Sequence, residues 1–186
     1  MAFLERDELK KMGFAKLGRN VFISDKASIY NAKNISIGNN VRIDDFCVIS
    51  AGEGGVELGN YIHIAVFSSL IGAGKITMND YSCISSRVSV YSSNDDYSGK
   101  AMTNSMVPDK FKSVIHKKVF LDKHVIVGSG SIILPGAILE EGVAVGALSL
   151  VNKKCDAFGI YAGNPLRRIK SRKQDLKQKE KLLLNQ

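Results

Sequence analysis

Apolar residues return every six positions through most of this chain. One register runs Ile37, Ile43, Ile49; a second runs Leu58, Ile64, Leu70; a third runs Met78, Ile84, Val90. The longest runs Leu121, Val127, Ile133, Leu139, Val145, Val151. A helical face repeats near 3.6 and a flat strand alternates at two, so neither element explains a period of six. Short strands joined by tight corners do. The recurring residue points inward, and Gly, Asn or Asp at the corner accepts a left-handed backbone at little cost. Gly38-Asn39-Asn40 and Gly59-Asn60 read as such corners. Smaller residues four positions on, Val41, Ser68, Val125, Ser131, Ala137 and Val143, suit a crowded interior. Three hexads close one coil, and the coils stack into an all-β parallel solenoid.

The repeat breaks once. Ile35, Val56 and Ile76 open successive coils at intervals of 21 and 20 positions, but the next opens at Val119, 43 positions on. One coil therefore carries about 22 extra residues, an excursion at about 91–118. It is polar, with Asn94, Asp95, Asp96, Asn104 and Asp109, and carries Tyr91, Tyr97, Phe111 and Pro108. A long loop inside a compact repeat is more often functional than accidental.

The ends differ from the body. Residues 1–19 predict a helical cap, because Phe3, Leu4, Leu9, Met12 and Phe14 alternate with charges as on a short amphipathic helix. Residues 20–162 are the solenoid, and 163–186 read as a turn at Asn164-Pro165 followed by a basic helix from Leu166 to Leu184.

The formal net charge of +8 raises nucleic acid as a partner, but eight Lys or Arg against two acids in residues 163–186 give that tail +6. The other 162 residues carry +2, too little for a broad phosphate-binding face. Three widely spaced cysteines, Cys47, Cys83 and Cys155, suit buried reduced thiols in a cytoplasmic protein. No apolar run approaches a membrane span, and the charged start MAFLERDELKK does not read as a secretion signal. The dispersed His and Cys lack metal-ligand spacing, so no metal is expected.

The stretch VFLDKHVIVGSGSIILPGAILEEGVAVGALSLVNKKCDAFGIYAGNPLRRIK, residues 119–170, resembles the closing coils of the hexapeptide-repeat acyltransferases, in particular their sugar O-acetyltransferase branch. The likeness extends over roughly 20–172. It implies a left-handed β-helix, a homotrimer, acetyl-CoA as co-substrate and a sugar or nucleotide-sugar acceptor, with a role in surface polysaccharide biosynthesis. It also implies that the loop reaches over a neighbouring subunit to wall the active site. By the same resemblance Ser129 and Ala147 lie where the pantetheine arm of coenzyme A runs. Asn152 and Lys153, with Arg167 and Lys170, match positions toward its phosphates. Arg167 lies in Gly163-Asn-Pro-Leu-Arg, close to the family's Gly-Asn-Pro-Ala-Arg.

Relatives of the galactoside, maltose and nodulation type carry a catalytic histidine in the stretch matching Ser92 to Asp96. This chain has Ser92-Ser93-Asn94-Asp95-Asp96 instead. A sugar hydroxyl needs a base as it attacks a thioester, and histidine is the best-matched side chain near neutral pH. His63, expected to face outward between Ile62 and Ile64, is the leading candidate. His116, where the loop rejoins the coil, is the other, and His124 reads as a surface residue. Asn94, Asp95 and Asp96, with His116, are expected to touch the acceptor, Asp95 or Asp96 also orienting His63. The leading expectation is O-acetylation of a sugar. The alternative is N-acylation of a nucleotide-linked amino sugar, which needs no histidine base. A zinc-dependent anhydrase relative or a trimeric scaffold is the third reading.

Overall fold

A computed structural model describes residues 2–185. Three parallel sheets form the walls of a prism. The first begins with Lys16–Leu17 and Ile35–Ile37, the second with Val21–Ile23 and Val41–Ile43, the third with Ser28–Tyr30 and Val48–Ala51. Each coil gives one strand to each wall, so the chain passes from first to second to third sheet and climbs one level. All the hexad positions named above are buried, and they meet inside the prism as a single core. The corners between second and third sheets hold Phe46, Phe67, Arg87 and Leu148 with φ of 55 to 60°, the left-handed conformation a tight corner needs.

The loop is inserted without disturbing the stack. Ile76 pairs with Val119 and Thr77 with Phe120, so the coils before and after it remain in register. At its base Ser93–Asn94 and Ile115–His116 form a short antiparallel ladder.

Both ends depart in detail from the expected boundaries. Helix α1 covers only Arg6–Lys11, capped by reciprocal bonds between Glu5 and Glu8, and the first solenoid strand already lies at Lys16–Leu17. At the other end, Leu166 to Ser171 is not helical. Arg167–Ser171 is a strand running antiparallel to Gly159–Ala162, so the last coil of the second sheet is covered rather than left as an open edge. Helix α2 begins only at Leu176 and ends at Leu184.

Helix α2 then runs back along the corner between the first and second sheets. Lys177 reaches Glu141 at 3.2 Å, and one turn on Glu180 receives Lys123 Nζ at 2.7 Å and meets His124 Nε2 at 2.7 Å. A helical turn of about 5.4 Å nearly matches the spacing of about 4.8 Å between coils, so successive turns address successive levels. His124, expected at the surface, is covered by this helix and stacked on Tyr81 with ring centroids 5.0 Å apart.

Lys123 and then His124 hold the Glu180 carboxyl below the usual carboxylate range. A depressed carboxylate stabilises the fold above its unfolded pKa and loses that contribution as pH falls through its folded value. Glu180→Gln is therefore expected to cost on the order of 1 kcal/mol at pH 7 and progressively less below about pH 4. Urea unfolding of both proteins across that range checks it; a gap that widened in acid would contradict the pairing.

Candidate active site

Outward residues of the second sheet form a column that the register fixes. Phe22 lies beside Arg42, Arg42 beside His63, and His63 beside Cys83. Phe22, Arg42 and His63 are each the central residue of an apolar-x-apolar strand whose two flanking residues turn inward, and Cys83 lies between buried Ser82 and Ile84. Asp44 follows the strand Val41–Ile43 at the corner toward the third sheet. It is only 5% exposed, yet it accepts Arg42 Nε at 2.7 Å and lies 2.9 Å from His63 Nε2. Burial alone would raise its pKa; the hydrogen bonds from Arg42 and His63 outweigh that and hold the carboxyl below its ordinary value. His63 is thus half exposed and oriented by a buried carboxylate, an arrangement sequence reasoning missed. The clue was present: Arg42 and His63 occupy the same hexad position 21 residues apart.

The corner between second and third sheets continues this column upward. Ser85 sits there one level above Ala65, whose N–H donates to Ile84 O. Above Ser85 come Gly128-Ser129-Gly130 and Gly146-Ala147-Leu148, with Ser129 and Ala147 exposed. Gly128 is required by the stack itself, since a Cβ there would lie 2.5 Å from Ala147 N. Arg167 pairs with Ala162 beside the topmost corner, and Lys170 lies farther along the same strand opposite Ile160. Asn152 and Lys153 stand apart, exposed beyond Leu150–Val151 at the far end of the third sheet. That is about 16 Å from Ala147 along the strand.

The loop residues separate into different roles. Asp96 accepts from Ser98 N, Ser98 Oγ and Ala101 N, and these bonds depress its pKa; it braces the loop. Asp95 is exposed and has no hydrogen-bond partner among the described residues. Asn94 belongs to the base ladder. His116 Nδ1 lies 2.7 Å from Ser93 Oγ, which also accepts Ala73 N at 2.7 Å, so His116 pins the loop to the coil. Within one chain the loop leaves from the far side of the third sheet, about 20 Å of strand from Ser85.

The three histidines lie at three places, and among the described residues no group of three or more His, Cys, Asp or Glu could hold a metal ion. The cysteines are free. Cys47 and Cys155 are buried, and burial pushes both thiols up to about 11.

A scan against protein-family models finds no match. The chain is 57% identical to a dTDP-4-amino-4,6-dideoxy-D-glucose acyltransferase of Escherichia coli, over 95% of this chain and 92% of that protein. The chain belongs to the hexapeptide-repeat sugar acyltransferases. Among solved structures it is similar to AntD, an N-acyltransferase from Bacillus cereus in complex with dTDP and 3-hydroxybutyryl-CoA, with 48% identity and a TM-score of 0.93 over 98% of this chain and 96% of that one. Variants of AntD have been solved with substitutions at a serine or at an aspartate ten positions further on, also with dTDP or its amino sugar and coenzyme A. A maltose O-acetyltransferase from Clostridium difficile, 20% identical with a TM-score of 0.60 over 91% of this chain and 75% of that one, shares the fold.

The solenoid is therefore a left-handed β-helix, and the protein is an acyltransferase. The leading expectation, O-acetylation, is displaced: the relatives of about half identity are acyltransferases of an amino sugar. The alternative matches them better.

Proposed function

We propose that this enzyme transfers an acyl group from coenzyme A to the amine of a dTDP-linked 4-amino-4,6-dideoxy sugar. The observation that carries this reading is the unpaired carboxylate at the start of the loop, Asp95, where an O-acetyltransferase needs a histidine. A hydroxyl must lose its proton as it attacks. An unprotonated amine attacks with its lone pair, and its N–H becomes strongly acidic only after the C–N bond has formed. A carboxylate is then base enough.

Two Ser–Asp pairs in this chain keep the ten-residue spacing substituted in AntD, Ser85 with Asp95 and Ser86 with Asp96. Asp96 is committed to bracing the loop, so we assign Asp95 as proton acceptor and Ser85 as hydroxyl donor to the oxyanion. The amine adds to the thioester carbonyl, Asp95 takes the amine proton, the C–S bond breaks, and coenzyme A leaves as thiolate to be protonated. Ser129 and Ala147 flank the pantetheine arm; Arg167, Lys170 and, farther off, Asn152 and Lys153 serve its phosphates.

Ser85 and Asp95 belong to different corners of one coil, so this chemistry needs the loop of a neighbouring copy. A homotrimer supplies it, and the stacked, half-exposed Phe46 and Phe67, 5.0 Å apart at the same corner, suit a subunit contact. Free thiols and coenzyme A chemistry support a cytoplasmic location. Similarity at 27% identity to a putative lipopolysaccharide O-acetyltransferase of Escherichia coli supports a role in surface polysaccharide synthesis.

A second reading keeps His63 as the base, favoured by its bond to Asp44. The overall activity is tested by mixing the protein with acetyl-CoA or 3-hydroxybutyryl-CoA and dTDP-4-amino-4,6-dideoxyglucose. Thiol release with an amide product is expected; no release with either donor overturns the proposal.

A further inference from the structure

Below the Ser85 corner the outward column continues through His63 and Arg42 to Phe22, and there the N-terminal segment joins it. Phe3 is bridged antiparallel to Ser24, and Leu4 N donates to Ile23 O at 2.9 Å, so the segment lies against the first coil ahead of α1. This places the Phe3 ring edge-on to Phe22, centroids 5.6 Å apart, with the Arg42 guanidinium 5.5 Å from the Phe3 centroid. Phe3, Phe22, Asn40, Val41 and Arg42 line a cavity of about 360 Å³. Phe22 is 48% exposed even with Phe3 packed against it, so much of its ring stays open to a ligand.

We propose that this cavity seats the nucleoside diphosphate of the acceptor, the pyrimidine base against Phe3 and Phe22 and the diphosphate on Arg42, so that the N-terminal segment is part of the binding site and not only a cap. The inference rests on the nucleotide-sugar reading above. Coenzyme A takes the corners from Gly128 upward, so an acceptor reacting near Ser85 extends the other way, down the column. From Ser85 to Phe22 is three levels, about 14 Å, room for a sugar and a diphosphate before the base. The residues follow that order: polar His63 at the sugar, cationic Arg42 at the phosphates, two rings at the base. Arg42 is the fitting cation because its planar fork binds phosphate oxygens in pairs. Buried Asp44 fixes it from behind. Asn40, whose Oδ1 accepts Asn20 Nδ2 at 2.9 Å, keeps its amide N–H groups for a carbonyl on the edge of a base, and flat rings stack any base face.

Calorimetry with dTDP and, separately, coenzyme A tests the seat in the full-length protein. Phe22→Ala is expected to weaken dTDP about 10-fold or more, and Arg42→Met about 10- to 100-fold. Coenzyme A binding, several coils away, should stay within about twofold, which also certifies the fold. Phe22→Leu, which keeps apolar bulk and loses the ring, should fall between wild type and Phe22→Ala. Wild-type dTDP affinity in Phe22→Ala or Arg42→Met overturns the seat and leaves the acyl-transfer reading standing. A wild-type protein that binds coenzyme A but no dTDP overturns the nucleotide-sugar reading and the seat with it.

Discussion

Asp95→Asn lowers kcat by about 10²- to 10³-fold and changes KM for the amino sugar by less than about threefold, the loss expected of a general base. The carboxamide keeps the size and polarity of the side chain but cannot accept the amine proton as the tetrahedral intermediate collapses. His63→Gln should behave differently. With His63 contacting the sugar and not the reacting amine, its loss raises KM about tenfold and leaves kcat within about threefold. Steady-state kinetics of the two variants separates the candidates for the base. If His63→Gln carries the kcat loss and Asp95→Asn is active, the His63–Asp44 pair is the base and the loop carboxylate is not. Asp96→Asn is the internal comparison, since Asp96 already accepts three loop hydrogen bonds; its effect should show in loop order more than in chemistry.

Replacing residues 95–114 by Asn-Gly removes the activity and keeps the solenoid. Asn94 and Ile115 are directly paired at the loop base, so two residues between them make an ordinary two-residue hairpin, for which Asn-Gly is the preferred turn. The coils on either side are already in register, Ile76 against Val119 and Thr77 against Phe120, and a shorter loop has less entropy to lose on closure. The melting temperature should therefore hold or rise. With Asp95 and the wall it stands on removed, kcat/KM should fall by about 10³-fold or more. A shortened protein with more than a tenth of the wild-type activity would show that the loop does not form the acceptor site.

The hexads were legible because inward pointing is a local property: strand, corner and spacing decide it before any coil meets another. Ile37, Ile64, Met78 and Val127 could be placed in the core on spacing alone. The segment after Pro165 was not legible in the same way. Its charges suggest a helix, but Arg167–Ser171 meets an open sheet edge, and edge pairing overrides a weak helical preference. His124 illustrates the same limit, since what buries it is Glu180, 56 residues on. At the site, period six does place Arg42 and His63 in one column, yet Asp44 looks like an ordinary corner carboxylate until the coils are stacked. Nothing local distinguishes Asp95 from Asp96 either; only the path of the loop back to Ser98 and Ala101 assigns one to bracing and exposes the other.

The most direct measurement of the central claim is a competition in one vessel between dTDP-4-amino-4,6-dideoxyglucose and its 4-hydroxy counterpart for a limiting acyl-CoA, with both products followed by mass. Amine acylation through a carboxylate base predicts at least about a 10³-fold preference in kcat/KM for the amino sugar. Comparable acylation of the hydroxyl sugar would contradict it.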